Sequence, residues 1–398
     1  MNERLASEGG SPVRSSFLPF ARPTFGEEER REVISVLNSG WVTVGPRVER
    51  FEKALAEYLD VPYVVCVDSC TAALHLSLLA LGIGPGDEVI TSPLTFCSTV
   101  NVILHAGARP VLADVDEDTL NLDPERAEAA MTSSTSALLP VHFGGYPCDM
   151  DVFTAIAQAH DAWVIEDAAH AIGASYRDRK VGTWGDAGCF SFYATKNLTT
   201  GEGGAIATRE AGLAERARLL SLHGMDRDAW KRYTAQGTWF YEVQAAGFKY
   251  NMSDLEAALG LGQLSRLDAM NARRGEIADA YDAAFVDHPA IEIPYFEPGT
   301  VPAHHLYSIR LNLEALSIDR ARFMDELAAE NIGASVHFIP IEMHPFYQRT
   351  LGILPGAFPV AEAAYARLVS LPIYPAMTAE DVNDTIGAVL KIANRFRR

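Results

Sequence analysis

The sequence is short of several features that would assign it at a glance. No apolar run approaches the ~20 residues of a membrane span, so no membrane partner is expected. Basic residues are few: 33 Lys and Arg against 52 Asp and Glu leave a formal net charge of −19. That field repels nucleic acid and anionic membrane at long range. An anionic ligand would therefore need a local collection of N–H groups and cations. Cysteine is scarce and odd in number. Cys66, Cys70, Cys97, Cys148 and Cys189 sit in apolar surroundings and read as reduced thiols of a cytoplasmic protein. The opening MNERLASEGGSPVRSS has no apolar stretch of the kind a secretory signal carries, and its Gly, Ser and Pro predict a disordered leader over 1–16. There is no internal repeat, and no low-complexity tract beyond that leader. What remains is 398 residues, 48% of them hydrophobic, enough for two or three domain-sized units around a large core.

From Tyr63 to Thr208, β-rich runs alternate with helical patterns. The runs are YVVCVDS (63–69), EVITS (88–92), PVLADV (110–115), SALLPVH (136–142), WVIED (163–167), CFSFY (189–193) and GAIAT (204–208). Amphipathic stretches such as TAALHLSLLALG and CSTVNVILHAG lie between the earlier ones. This alternation predicts an α/β fold with a mainly parallel central sheet covered on both faces. In such sheets, ligands sit outside the carboxyl ends of the strands. From Ser253, a plausible N-cap, to about Phe285 the chain reads as one long helix. After the Pro/Gly-rich 289–302 the character changes. HHLYSIRLNL and GASVHFIP read as strands, DRARFMDELAAEN and MTAEDVNDTIGAVLKIANRF as helices, the latter with Thr378 as N-cap. The predicted division is a large domain over 17–288 and a smaller C-terminal α+β domain over 289–398.

Three segments carry chemistry. In DSCTAA (68–73) a strand ends and a helix starts, so free N–H groups and the helix dipole can hold a phosphate, although such a start is more often a plain N-cap by Ser69 or Thr71. GIGPGD (82–87) follows a helix and contains Pro85, which makes it a turn rather than a dinucleotide fingerprint. In VIEDAAH, Asp167 ends an apolar strand and His170 follows three residues later. In CFSFYATKNLTTGEGGAIAT (189–208), Lys196 lies in a polar loop between two strands. A loop lysine more often sits on a solvated face, but near the ends of a parallel sheet it can have a lowered pKa and act as a nucleophilic amine. Pyridoxal 5'-phosphate needs an amine, a carboxylate for its pyridine nitrogen, an anion site and an aromatic face. Lys196, Asp167, the 69–72 turn with Ser191, and Phe96 supply these in order.

With those residues in view, the chain resembles the DegT/StrS-type sugar aminotransferases, fold-type-I pyridoxal phosphate enzymes. The likeness runs from about Phe17 to Phe396. It rests on FLPFARPTFGEEE, SGWVTVGP, TAALHLSLLALGIGPGDEVITSPLTF, IEDAAHAIGASY, FSFYATKNLTTGEGGAI, FKYNMSDLEAALGLGQL and SLPIYPAMTAEDV. The resemblance implies Lys196 as the Schiff-base lysine and Asp167 as the partner of the pyridinium nitrogen. It implies Thr71, Ala72 and Ser191 at the phosphate, Phe96 against the ring and His170 near O3′. Cys70 departs from the glycine or alanine usual at its place. Asn251 matches a residue that reaches the phosphate of the neighbouring subunit, implying a homodimer with shared active sites. The implied reaction is a ping-pong amine transfer from L-glutamate, leaving 2-oxoglutarate, with Lys196 moving the proton. Cousins that dehydrate sugars carry histidine in place of the lysine, so Lys196 favours transamination.

The same likeness implies a nucleotide-linked keto-sugar substrate. Trp41 and Thr43 match positions lining its site, and His337 and His344 match the segment closing over the sugar. Those two histidines are seven apart, but Pro340 between them and the lack of nearby cysteines or acidic clusters argue against a metal. FLPFARP, LHGMDRDAWKRY (222–233), EVQAAGFKYN (242–251) and LDAMNARRGEIADAY (267–281) look closest to members making UDP-4-amino-4-deoxy-L-arabinose for lipid A, part of lipopolysaccharide biosynthesis. HFIPIEMHPFY (337–347) follows the general family pattern and keeps UDP- or dTDP-linked 4-keto-6-deoxyhexoses open. The non-enzyme alternative is a regulator on the same fold, which would not need Lys196, Asp167, Thr71 and Ser191 together.

Overall fold

The computed structural model describes residues 4–225 and 241–398. Of the LHGMDRDAWKRY stretch, residues 226–233 lie outside them. In chain order the first strands are β1 (Tyr63–Val67), β2 (Glu88–Thr91), β3 (Arg109–Leu112), β4 (Thr135–Leu139) and β5 (Trp163–Asp167). The short β6 (Ser175–Tyr176) and β7 (Arg179–Lys180) form a side hairpin, followed by β8 (Ala187–Ser191) and β9 (Gly204–Thr208). The central sheet has seven strands in the order β1-β9-β8-β5-β4-β2-β3. Only β9 runs against the rest. The expected mainly parallel α/β sheet is what the chain builds.

Alternate residues of each strand face opposite layers. Val65 and Val67 pack with Leu74 and Leu76 of α3 (Cys70–Ala80, after α1, Glu27–Ser39, and α2, Pro46–Leu59). Val64 and Cys66 pack with Phe51 and Leu55 of α2 on the other face. Each parallel step needs a crossover, supplied by helices such as α4 (Cys97–His105), α5 (Pro124–Ala129) and α6 (Met150–His160).

Past α7 (Ala211–Ser221), the helix expected from Ser253 to Phe285 is two helices, α8 (Asp254–Leu264) and α9 (Leu267–Phe285). Ser253 does cap the first, in a capping box with Glu256. Arg266 has φ −117° and ψ 0°, which breaks the hydrogen-bond ladder between them. The last half of α9 packs Ile277, Tyr281 and Phe285 into a second core. That core covers a small sheet of β10 (Ile291–Glu292), β12 (Tyr307–Leu311) and β13 (Leu368–Leu371); β11 (Thr300–Val301) joins the β6–β7 hairpin instead.

Around it lie α10 (Arg320–Ala329) and α13 (Ala379–Arg395), the latter capped by Thr378 as expected; α11 (Pro345–Leu351) and α12 (Pro359–Arg367), between them in the chain, pack instead beside Val100 and Leu112 and beside Leu94 and Phe143. GASVHFIP is not a strand. Only Ser335 pairs with β13, exchanging both backbone bonds with Ser370, and the chain then turns away toward Pro340, which has no N–H to continue a ladder.

The leader expected to be disordered is docked over residues 4–16. Leu5 is fully buried in the second core. Ala6 and Val13 donate backbone N–H groups to the Glu330 carboxylate at 3.0 and 2.8 Å, and Arg14 pairs with Asp381 and Asp384. One apolar anchor and complementary charges outweigh a loop-like composition. Among the described residues no helix is long and apolar enough to cross a membrane.

Candidate active site

The site forms at the carboxyl ends of β1, β5 and β8. Where β1 stops, Ser69 Oγ accepts the Ala72 N–H at 3.1 Å and caps α3. Thr71 is exposed and Ala72 buried on that first turn. The turn sits tightly on β9, because a Cβ on Gly204 would lie 2.6 Å from the Cys70 nitrogen. Ser191 pairs with Gly204 across the sheet, which brings it beside the same turn. Among the described residues its Oγ accepts only a long bond, 3.4 Å, from Tyr193 N–H. Asn251 pairs with Val67 at the end of β1; its side chain accepts from Lys249 and donates to the Met252 carbonyl.

Asp167 is the last residue of β5 and 4% exposed. Thr99 Oγ1 donates to its Oδ2 at 2.8 Å, and Ala169 N–H donates to Oδ1 at 3.2 Å. Thr95 Oγ1 lies 2.8 Å from Thr99 Oγ1. Since the Thr99 proton goes to the carboxylate, Thr95 must donate to Thr99, giving a one-way chain toward Asp167. Burial pushes the Asp167 carboxyl above its ordinary range, opposed by Thr99, Ala169 and Lys196. A cation brought close would relieve that cost.

Lys196 is half-buried in the β8–β9 loop, which closes through Phe192 N–H to Gly203 O and Thr200 N–H to Phe192 O. Burial lowers its pKa to about 8, against the opposite pulls of Cys70 and the Asp167 carboxylate. Asn197, buried next to it, donates to the Ala303 carbonyl and to Asn271 Oδ1 of α9.

Imidazoles wall the site. His170 is buried, with its ring centroid 4.5 Å from that of His305 and 5.7 Å from stacked Phe338. Gly145, at φ +90°, lets the 142–146 turn press on both, since a Cβ there would be 2.7 Å from the His170 carbonyl. His337 stacks on Phe20 and shares a 2.9 Å hydrogen bond with Ser370 Oγ. Burial, with Lys196 adding to it, lowers His337 to about 4. Phe96 caps the start of α4, is 57% exposed and meets Phe338 at 5.9 Å.

Other predicted positions have different neighbours. Trp41 Nε1 donates to the Val44 carbonyl, and the Thr43 carbonyl accepts from Asp254 N–H, which ties that loop to the start of α8. His344 stands at the start of α11 against Tyr347. Sequence reasoning passed over Thr99, Asn197 and His305. Asn197 adjoins the lysine, but its role depends on Asn271, 74 positions away. His305 was absorbed into a strand-like run. A cavity of about 770 Å³ between β3 and residues 350–358 contains none of the site residues. Among the described residues no group of three or more His, Cys, Asp or Glu is arranged to hold a metal.

Pyridoxal phosphate fits this donor set. An amine of lowered pKa, an under-satisfied buried carboxylate and a capped helix start packed on glycine meet in one place.

The comparisons agree with the geometry. The sequence model described as the DegT/DnrJ/EryC1/StrS aminotransferase family matches residues 23–390. The Bacillus subtilis spore coat polysaccharide biosynthesis protein SpsC is 52% identical over 380 residues, 95% of this chain and 98% of that protein. The PMP form of the Streptococcus pneumoniae putative sugar aminotransferase Spr1654 superposes with a TM-score of 0.88 at 33% identity, covering 95% and 99% of the two chains. Helicobacter pylori PseC, an aminotransferase involved in the biosynthesis of pseudoaminic acid, gives 0.89 at 30% identity, covering 96% and 100%.

Proposed function

From the premise that this chain belongs to the DegT/DnrJ/EryC1/StrS aminotransferase family, we propose that it moves an amino group from L-glutamate to a nucleotide-linked 4-keto-sugar. That it is a sugar aminotransferase of the pyridoxal phosphate class follows from the family and from its PLP- and PMP-form relatives. The observation that carries the reading is the meeting of Lys196, Asp167 and the α3 turn at the strand ends.

When bound, the cofactor supplies an electron sink for a carbanion. The chain's own groups do the rest. The α3 start and Ser191 would hold the phosphate, and Asp167, oriented by Thr99, would keep the pyridine nitrogen protonated. Phe96 would lie against the ring and His170 near its O3′. Lys196, with its pKa near 8, can release and take up a proton at neutral pH.

A homodimer belongs to the proposal, with Asn251 reaching the cofactor phosphate of a second copy. Exposed Ile34, Leu37 and Val42 offer the apolar surface for it. Mixing Lys196→Ala with Asn251→Ala protein should restore part of the activity through hybrid sites.

The leading sugar is the UDP-linked 4-keto-pentose of the aminoarabinose route to lipid A. A second reading is a 4-keto-6-deoxyhexose; the similarity to PseC, involved in pseudoaminic acid biosynthesis, and to SpsC, a spore coat polysaccharide biosynthesis protein, keeps sugars outside the lipid A route open. A C5 substituent is worth only about 1–3 kcal/mol in an apolar pocket. The test runs the reverse reaction, with 2-oxoglutarate and a panel of UDP- and dTDP-linked 4-amino-sugars. Preference for a hexose removes the pentose. Turnover only of a free amino acid or aminocyclitol removes the nucleotide-sugar.

A further inference from the structure

Two buried imidazoles stand side by side in the site, and their surroundings fix opposite tautomers. Asn197 Nδ2 donates to the Ala303 carbonyl at 2.7 Å and to Asn271 Oδ1 at 2.8 Å. A backbone carbonyl can only accept, so the amide's orientation is set, and its Oδ1 faces His305 Nδ1 at 3.1 Å. His305 must therefore carry its proton on Nδ1, which leaves Nε2 bare in the neutral ring. His170 is the reverse. Its Nδ1 accepts the Gly144 N–H at 3.3 Å, so the proton sits on Nε2. Burial, followed by the nearby Lys196, holds both rings well below the ordinary histidine range. His337 disfavours charge on both; His170 and Arg274 add to the effect on His305. Among the described residues neither Nε2 has a hydrogen-bond partner, and neither is a sealed, partnerless atom like Nδ1 of His304.

We propose that His305 is a positioning residue whose bare Nε2 accepts a hydrogen bond from the Lys196 amine whenever that amine is free. The role at Lys196 rests on the aminotransferase reading. Freed from the cofactor, Lys196 brings N–H groups into a low-dielectric wall of neutral rings, and each buried donor needs an acceptor. A second N–H at His305 would repel it. The chain from Asn271 through Asn197 prevents that tautomer, and it joins the lysine's loop to α9. The same network also braces the loop, so the test must separate positioning from bracing.

The first measurement needs no turnover. Long-range proton–nitrogen correlation on histidine-labelled apoprotein at neutral pH, with peaks assigned by His305→Gln and His170→Gln, should find His305 protonated at Nδ1 and His170 at Nε2. His305 protonated at Nε2 overturns the proposal. The second uses the cofactor-loaded protein. His305→Phe should slow the glutamate half-reaction, followed by absorbance, about tenfold, with the dissociation constant for glutamate unchanged. It should also move the pH midpoint of the lysine-bound cofactor's visible band. His305→Gln, whose side-chain oxygen can accept, should recover most of both. Equal losses in the two variants, with a fallen melting temperature and an unmoved midpoint, would reduce His305 to a brace and overturn the proposal. Wild-type protein that binds cofactor but transfers no amine would overturn the aminotransferase reading, and the Lys196 partnership with it, leaving the tautomers standing.

Discussion

Two buried carboxylates, both close to a lysine, behave differently in this molecule. Glu330, under the docked leader, is fully buried, and its oxygens take the Ala6 and Val13 N–H groups and Lys391 Nζ at 2.9 and 3.0 Å. Asp167 is nearly as buried but among the described residues accepts only from Thr99 and Ala169, and Lys196 acts on it through space. A buried charge with its hydrogen bonds and counter-ion in place holds structure together. One left short of a cation stays poised for a ligand that brings it.

The sharpest break of that contrast is Lys196→Ala, which should cut turnover about 10³-fold or more and abolish the visible band of the lysine-bound cofactor. Near-wild-type transamination by that variant would end the assignment. Asp167→Asn should cost about 10²-fold in turnover, because an amide cannot stabilise a pyridinium charge, with the fold intact by circular dichroism. Glu330→Ala should do the opposite. It strands Lys391 and the leader's N–H groups, so urea denaturation should show a loss of about 3 kcal/mol, while the folded enzyme turns over within about twofold of wild type. Thr99→Val should slow turnover about tenfold by removing the oriented hydroxyl at Asp167, and Thr99→Ser should restore it.

The smallest effect is in the apoprotein. Lys196 has a folded pKa near 8, below the ordinary lysine value, so the unfolded chain binds more protons between about 8 and 10.5. The wild type should therefore gain stability as pH rises through that window. Lys196→Met should be the more stable protein below it, and the difference should close above it in chemical denaturation at stepped pH.

The large sheet was legible because strand-length apolar runs and turn residues recur in order, and Ser253 and Thr378 announced their helices by cap chemistry alone. Two errors have one source. GASVHFIP has strand-like composition and the leader has loop-like composition, yet pairing with Ser370 ends after one residue, and Glu330 lies 317 positions from Val13. Local composition carries no information about a partner that far away.

The sequence by itself determined the crossover sheet, the lysine loop between its strands, Asp167 at a strand end and the helix start beside them. Each is a local statement about periodicity, caps and residue chemistry, which the next few residues are enough to specify. Only the tertiary structure decided that Thr99 orients Asp167, that α8 and α9 break at Arg266 and that the leader closes the second core. It also decided which nitrogen of His305 carries the proton, through an Asn197 amide fixed by Ala303 and Asn271. The hydrogen-bonded facts among these depend on which donor meets which acceptor across some 70 to 300 positions, and hydrogen bonds of 2.7–3.1 Å exist only once the backbone has set the distance.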